Sequence, residues 1–368
     1  MEIKKISPEQ IVHVTNLIRE FYCEGIDIQE YYLKKKYERV DNNFNTDQLF
    51  SDYSISPEHM NFVLEELSEK DFKHFTTHIA TFPIESQIGR RLVIGVKETN
   101  TNKYVGFIRI ASPVSSIKPR NDFFGESLKL DVVNKHIYNG QTIVPVQPFG
   151  YNYLGGKLLA LICQSNEVRE MYNRKYNTNV LLFETTSLYG SSKGSSMYDG
   201  LEPYILNIGV TESKNLLFPT DDVYGEIKNI FKSQYGKDEY NGNLTNPKQS
   251  SPKKREFDRI IQLIKLHLSD LDKKEFSEYL KTNVETKQQK RFYISKMGFD
   301  NIKEHLLHGE PLIEKNRQRF DLENIVLYWK NKSIKRFNKL NSTDTIKNDL
   351  EFYTKEVIQD GIKFKIIR

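Results

Sequence analysis

The sequence predicts an α+β fold: a mixed sheet core between a helical amino-terminal region and a helical, basic carboxy-terminal module. Three observations carry the prediction. Residues 1–83 place apolar side chains at helical spacing, residues 84–235 mix short β-rich runs with one long helical period, and residues 255–368 return to helical spacing with an excess of cations. The middle region reads hairpin, strand, helix, strand, strand, which is not the regular alternation of a βα repeat. With 38% hydrophobic and 12% aromatic residues, the 368-residue chain can bury a sizeable core.

The elements follow in order. Ser7-Pro8-Glu9-Gln10 offers a Ser cap, Pro at the first helical position and Gln at the capping-box position. Ile11, Val14, Ile18 and Phe21 then fall on one helical face. A second start, Ser56-Pro57-Glu58, precedes Phe62, Val63 and Leu67, so residues 1–80 are predicted helical around a polar loop near 41–47. Near residue 90 the texture changes. Leu92–Val96 and Val105–Ile110 flank the turn-forming stretch Glu98–Lys103, which predicts a hairpin. Strands are predicted at Thr142–Val146, Val180–Glu184 and Tyr204–Ile208, with a helix over Leu154–Tyr176. Residues 236–254 are nearly devoid of apolar side chains and are predicted to be a linker. Beyond them, Phe257, Ile260, Ile261, Ile264 and Leu268 resume a helical period, as do Leu322, Val326, Trp329, Phe337 and Leu340.

Composition excludes several classes. Mean hydropathy is −0.60, and no apolar run approaches the ~20 residues of a membrane span. Met1-Glu2-Ile3-Lys4-Lys5 is not followed by an apolar stretch, so no secretory signal and a cytoplasmic location are expected. Cys23 and Cys163 are too few for a disulfide framework or a Cys-rich zinc site. The eight His are scattered: His74 and His78 share a helix face, but position 75 is Phe, so no metal is expected. The net charge of +5 is unevenly spread. Residues 251–368 carry 26 Lys+Arg against 18 Asp+Glu, leaving the first 250 residues slightly negative. That asymmetry suits a polyanion binder, or a solvated Lys-rich helical surface.

Three stretches can carry chemistry. Between a predicted strand and helix lies Pro145-Val146-Gln147-Pro148-Phe149-Gly150-Tyr151-Asn152-Tyr153-Leu154-Gly155-Gly156-Lys157. Glycines there admit a ligand to the backbone, free helix amides attract phosphate or carboxylate, and Lys157 adds a cation. Equally, Gly155 and Gly156 allow close helix-to-sheet packing. Neither a Walker A loop nor a G-x-G-x-x-G fingerprint is present. The second stretch, from Phe183 to Gly200, puts Glu184 at a strand end before a loop rich in Ser, Gly and Tyr. Glu184, Tyr189, Tyr198 and Asp199 are its candidate catalytic groups, the other reading being a surface loop. No G-x-S-x-G elbow occurs, and Cys163, among Leu159, Leu161 and Ile162, reads as core. The third stretch is basic. Lys332, Lys335, Arg336 and Lys339 recur at i, i+3, i+4 and i+7 on one helix face, and Lys290 and Arg291 adjoin Phe292 and Tyr293. Cations of this kind meet phosphates and the aromatics can stack on bases.

With these residues in view, residues 106–214 resemble the family of the Druantia anti-phage defence protein DruA. The family pattern is matched at Gly106–Ala111, Arg120-Asn121-Asp122-Phe123-Phe124-Gly125, Val132-Val133-Asn134 and Val144-Pro145. It continues at Leu154-Gly155-Gly156, Met171–Tyr176, Leu181–Thr185, Ser196–Tyr204 and Gly209-Val210-Thr211. The chain departs from the pattern at Asp199–Tyr204 and at Met171-Tyr172, as a divergent branch would.

The strand order is also similar to that of the N-acetyltransferase (GNAT) fold, as in Mom-type phage enzymes that acylate DNA bases. That resemblance implies a GNAT-like core. There, a strand is followed by Q/R-x-x-G-x-G/A, whose amides hold the pyrophosphate of acyl-CoA or acetyl-CoA. Gln147-Pro148-Phe149-Gly150-Tyr151-Asn152 matches except at its last position. Gln147, Gly150, Asn152, Gly155, Gly156 and Lys157 are accordingly the expected donor-binding residues. The resemblances imply a protein acting on nucleic acid, with DNA favoured over RNA, through acyl-CoA-dependent base modification in a phage, viral or defence setting. The alternatives are a noncatalytic nucleic-acid-binding component, and an accessory that contacts only proteins.

Overall fold

The computed structural model describes residues 6–22, 36–81, 84, 89–187, 196–211, 214–216, 219, 221–236, 252–283, 285–287 and 290–359. The chain divides into two compact units, one of residues 1–35 with 213–288 and one of residues 36–212 with 289–368. This differs from the four segments expected from sequence. The last third is shared between the units, because its one long strand completes the sheet of the larger unit.

The smaller unit is helical. Helices Pro8–Tyr22, Asp221–Tyr235, Pro252–Leu266 and Asp270–Asn283 pack around Val14, Ile18, Phe231, Ile260, Ile264 and Phe276. The predicted capping box closes the first helix: Gln10 N–H donates to Ser7 Oγ at 3.2 Å, and Ser7 N–H to Gln10 Oε1 at 3.4 Å. The predicted linker at 236–254 lies almost wholly outside the described residues.

The larger unit holds a seven-stranded mixed sheet. In chain order its strands are β1 (Phe62–Glu66), β2 (Arg91–Glu98), β3 (Lys103–Ala111), β4 (Ile137–Pro145), β5 (Leu182–Ser187) and β6 (Leu206–Thr211). The short pair β7 (Lys214–Leu216) and β8 (Glu285–Lys287) belongs to the smaller unit, and β9 (Lys290–Ser295) returns to the sheet. The order is β1-β2-β3-β4-β5-β9-β6, antiparallel throughout except between β4 and β5. That parallel pair is short, running from Ile137 beside Leu182 to Gly140 beside Thr185.

The predicted hairpin is β2–β3. Glu98, with no exposure, accepts from Asn100 N–H at 3.0 Å and Thr101 N–H at 2.8 Å, and so fixes the turn. Residues 56–66, predicted helical, instead form a 3-10 turn at Pro57–His59 and then β1, whose pairing with Ile94–Glu98 is a long-range gain that local spacing does not register. The predicted helix over Leu154–Tyr176 is two, Gly155–Ile162 and Asn166–Tyr176. Ser165 divides them and caps the second by accepting from Val168 N–H.

Alternate residues of each strand serve opposite faces of the sheet. Tyr138, Phe183 and Tyr293 point into a core shared with helices Gly155–Ile162 and Leu322–Ser342. Ile137, Leu182, Phe292 and Ile294 point the other way, against Phe124 and Ile302.

Candidate functional site

The loop leaving β4 is the first place to look. A short helix, Phe149–Tyr153, ends at Leu154, whose φ of 57° turns the chain into helix Gly155–Ile162. The fit requires glycine at position 155, whereas at position 156 a side chain would have only the end of the exposed Met197 to displace. A Cβ at Gly155 would lie 2.5 Å from the Phe149 ring, and one at Gly156 would lie 2.8 Å from Met197 Cε. The polar groups turn to the chain itself. Gln147 Oε1 accepts from Tyr151 N–H at 3.1 Å, and Lys157 Nζ donates to the Asp199 carbonyl at 2.6 Å. Asn152, fully buried, donates from Nδ2 to the Lys347 carbonyl at 2.8 Å and accepts from Lys347 N–H at 3.1 Å. Glu351 N–H donates to the Gln147 carbonyl at 2.9 Å. Thus Gln147, Gly150, Asn152, Gly155, Gly156 and Lys157 share one loop, and a strap from the carboxy-terminal region binds its first and last motif positions.

The expected catalytic group is divided by the sheet. Asp199 lies over the face that carries Tyr293 and Arg291. It accepts from Arg291 Nη1 at 2.9 and 2.8 Å, from Tyr293 Oη at 2.9 Å and from Ser196 N–H at 3.1 Å. Tyr198 is buried against the same face, its ring 5.4 Å from that of Tyr293, and burial raises its phenol pKa above the ordinary value. Glu184 points away from them. It alternates with Phe183 and Thr185 along β5, so its carboxylate meets Arg120 on the opposite face, at 3.1 and 3.3 Å. Both partners are nearly without exposure, and burial, outweighing the Arg120 guanidinium, pushes the Glu184 carboxyl up to about 7. Glu184 therefore does not share a site with Tyr198 and Asp199. Tyr189 lies outside the described residues.

The basic residues are not a separate module. Helix Leu322–Ser342 is fixed to the core through Trp329 Nε1 and Ser333 Oγ, which donate to the Tyr153 carbonyl at 2.9 and 2.8 Å, and through Phe337, stacked on the Tyr153 ring at 5.3 Å. Those anchors leave Lys335 and Lys339 exposed. Lys332 and Arg336 are half-buried towards the β4 loop: Arg336 lies 4.5 Å and Lys347 5.1 Å from the Tyr151 ring centroid, and Lys332 5.1 Å from that of Tyr328. Burial, then the Lys332 charge, lowers the Lys157 ammonium pKa, with Asp199 opposing. Lys290 and Arg291 are positioned differently. They open β9, where burial lowers the Lys290 pKa and Asp199 engages Arg291. The strand is not legible locally, because cations interleaved with aromatics equally suit a nucleic-acid-binding surface.

Sequence reasoning assigns no site role to Arg120, Ser196 or Lys347, and gives Tyr293 only a stacking role. Arg120 and Ser196 both lie within motifs of the family resemblance. Ser196 Oγ accepts from Tyr198 N–H two residues on, whereas Tyr293 meets Asp199 and Lys347 meets Asn152 across 94 and 195 residues of chain. Among the described residues no group of three or more His, Cys, Asp or Glu side chains is placed to hold a metal, and no helix is long and apolar enough to cross a membrane.

A mixed-sheet core with a cationic helix locked against its β4 loop defines an α+β protein. The family model of the Druantia protein DruA matches residues 13–280, more than half of the chain, and the chain belongs to that family. No curated protein and no solved structure matches it.

Proposed function

We propose that this protein is a nucleic-acid-binding component of an anti-phage defence system, with a GNAT-like sheet serving as the platform. The family supports the defence setting. The observation that carries the binding reading is the face of helix Leu322–Ser342. Lys332, Lys335, Arg336 and Lys339 lie on it with no ion-paired carboxylate among the described residues, and the buried Trp329, Ser333 and Phe337 hold it rigid. Cations held in place on a helix contact phosphates without reading sequence. Titration of a fluorescent DNA duplex at several salt concentrations tests the reading. Affinity falls log-linearly with salt, and a salt-independent isotherm contradicts it.

The order β1-β2-β3-β4-β5-β9-β6 with its single parallel pair supports the GNAT-like core, and with it a second reading, base modification from acyl-CoA. The loop does not suit a pyrophosphate as folded, because Gln147 and Asn152 are bound by the strap and Gly150 is covered by the Gln147 side chain. No chemical step is assigned to it.

A further inference from the structure

The strap over the β4 loop is continuous with the basic helix. After Ser342 the chain turns at Thr343–Thr345, with Thr345 N–H donating to the Leu340 carbonyl at 2.9 Å, and runs along the loop. It is fastened repeatedly: at Asn152 by both the N–H and the carbonyl of Lys347, at Gln147 by Glu351 N–H, and at the His78 carbonyl by Tyr353 N–H at 2.7 Å. Leu350 and Phe352 pack into the apolar cluster of Phe44, Phe75 and Val146. Where a donor-binding loop needs Gly or Ala to admit pyrophosphate, this chain has an Asn whose amide is spent on its own backbone. The same fastening sets Lys347 beside Arg336 on the Tyr151 ring, where Glu351, at 3.2 Å, is its one carboxylate partner among the described residues.

We propose that the strap, by binding Gln147 and Asn152, closes the loop to a phosphate-bearing donor and converts it into part of a nucleic-acid-binding face, with Lys347 as a further phosphate contact. The inference rests on the nucleic-acid reading for its second half and on the loop geometry alone for its first. A phosphodiester backbone is the ligand class, because the cations Lys332, Arg336 and Lys347 flank rings that they already cover. Tyr151 is therefore poorly placed to stack on a base.

The test uses the full chain in two arms. In the first, coenzyme A and acetyl-CoA are titrated calorimetrically into the wild type. No binding heat is expected, and saturable heat overturns the closure. Hydrogen exchange of residues 345–353 in Asn152→Gly, which removes both side-chain bonds, is expected to be faster than in the wild type; unchanged exchange also overturns it. In the second arm, duplex DNA is titrated into Lys347→Gln and Lys335→Gln. Each is expected to weaken binding severalfold and to reduce the salt slope by about one. A Lys347→Gln isotherm that superimposes on the wild type while Lys335→Gln is weakened overturns the role of Lys347. If no form binds DNA, the nucleic-acid reading falls, and the coenzyme titration still decides the closure.

Discussion

Asp199 and Arg291 meet across the sheet face with one guanidinium nitrogen donating to both carboxylate oxygens, at 2.9 and 2.8 Å. Tyr293, two residues along β9, donates to the same carboxylate. The pair ties the segment around Ser196–Gly200 to a strand that arrives from the last third of the chain. Because the bonds share one acceptor, their effects are coupled. Asp199→Asn and Arg291→Gln are each expected to lower the urea midpoint, and the double variant to lose less than the sum of the two. Additive losses in a double-mutant cycle would show that the contact is idle.

Glu184 and Arg120 present a different balance. The Glu184 carboxyl is raised by burial from 4.5 to about 7, so between those values the folded state holds a proton that the unfolded state has released. Its contribution to stability is therefore complete below pH 4.5 and is lost as pH rises through 7. Glu184→Gln is expected to flatten the fall of urea-unfolding free energy between pH 5 and 7. Glu184→Leu strands a guanidinium in the core and is expected to cost about 3–5 kcal/mol. An unchanged pH profile in Glu184→Gln contradicts the assignment.

Lys36 behaves in the opposite sense. Its Nζ donates to the Thr77 and Ala80 carbonyls at the end of helix Glu69–Ile79, and burial lowers its pKa from 10.5 to about 7. A depressed pKa means that the unfolded chain takes up the proton first, so this group makes stability rise with pH between 7 and 10.5. Lys36→Met is expected to remove that rise in denaturant midpoints measured across the interval. A wild-type slope retained in the variant places the titration elsewhere.

Trp329 is 1% exposed and caps the Tyr153 carbonyl together with Ser333. Trp329→Ala is expected to destabilise the larger unit by about 3–5 kcal/mol, and Ser333→Ala by about 1 kcal/mol. Thermal unfolding checks both. A Trp329→Ala protein as stable as the wild type would mean that the basic helix is not anchored as described.

Much of this was legible in the sequence where the deciding interactions are local. The Ser7–Gln10 capping box and the β2–β3 hairpin form as their residues predict, because cap and turn are satisfied within a few positions. The basic helix has its cations at the predicted spacing. What could not be read depends on distant partners. Phe62–Glu66 spaces like a helix and becomes a strand because β2 offers it an edge. Lys290–Ser295 shows a cation–aromatic pattern and becomes an inner strand only because β5 and β6 each leave an edge that it fills. Proximity in sequence groups Glu184 with Asp199. Strand alternation, available from the residues once Leu182–Ser187 is known to be a strand, puts it on the other face.

If the exposed cations of helix Leu322–Ser342 bind nucleic acid, reversing their charge abolishes that attraction at its source. Fluorescence anisotropy of a labelled DNA duplex should be measured with the wild type, with Lys335→Glu/Lys339→Glu, and with Lys273→Glu/Lys274→Glu, which makes the same change of charge on a helix of the smaller unit. The predicted result is a loss of about tenfold or more in affinity, with a shallower salt dependence, for the first pair and a clearly smaller loss for the second. Equal losses for the two pairs, or no loss for Lys335→Glu/Lys339→Glu, would contradict it.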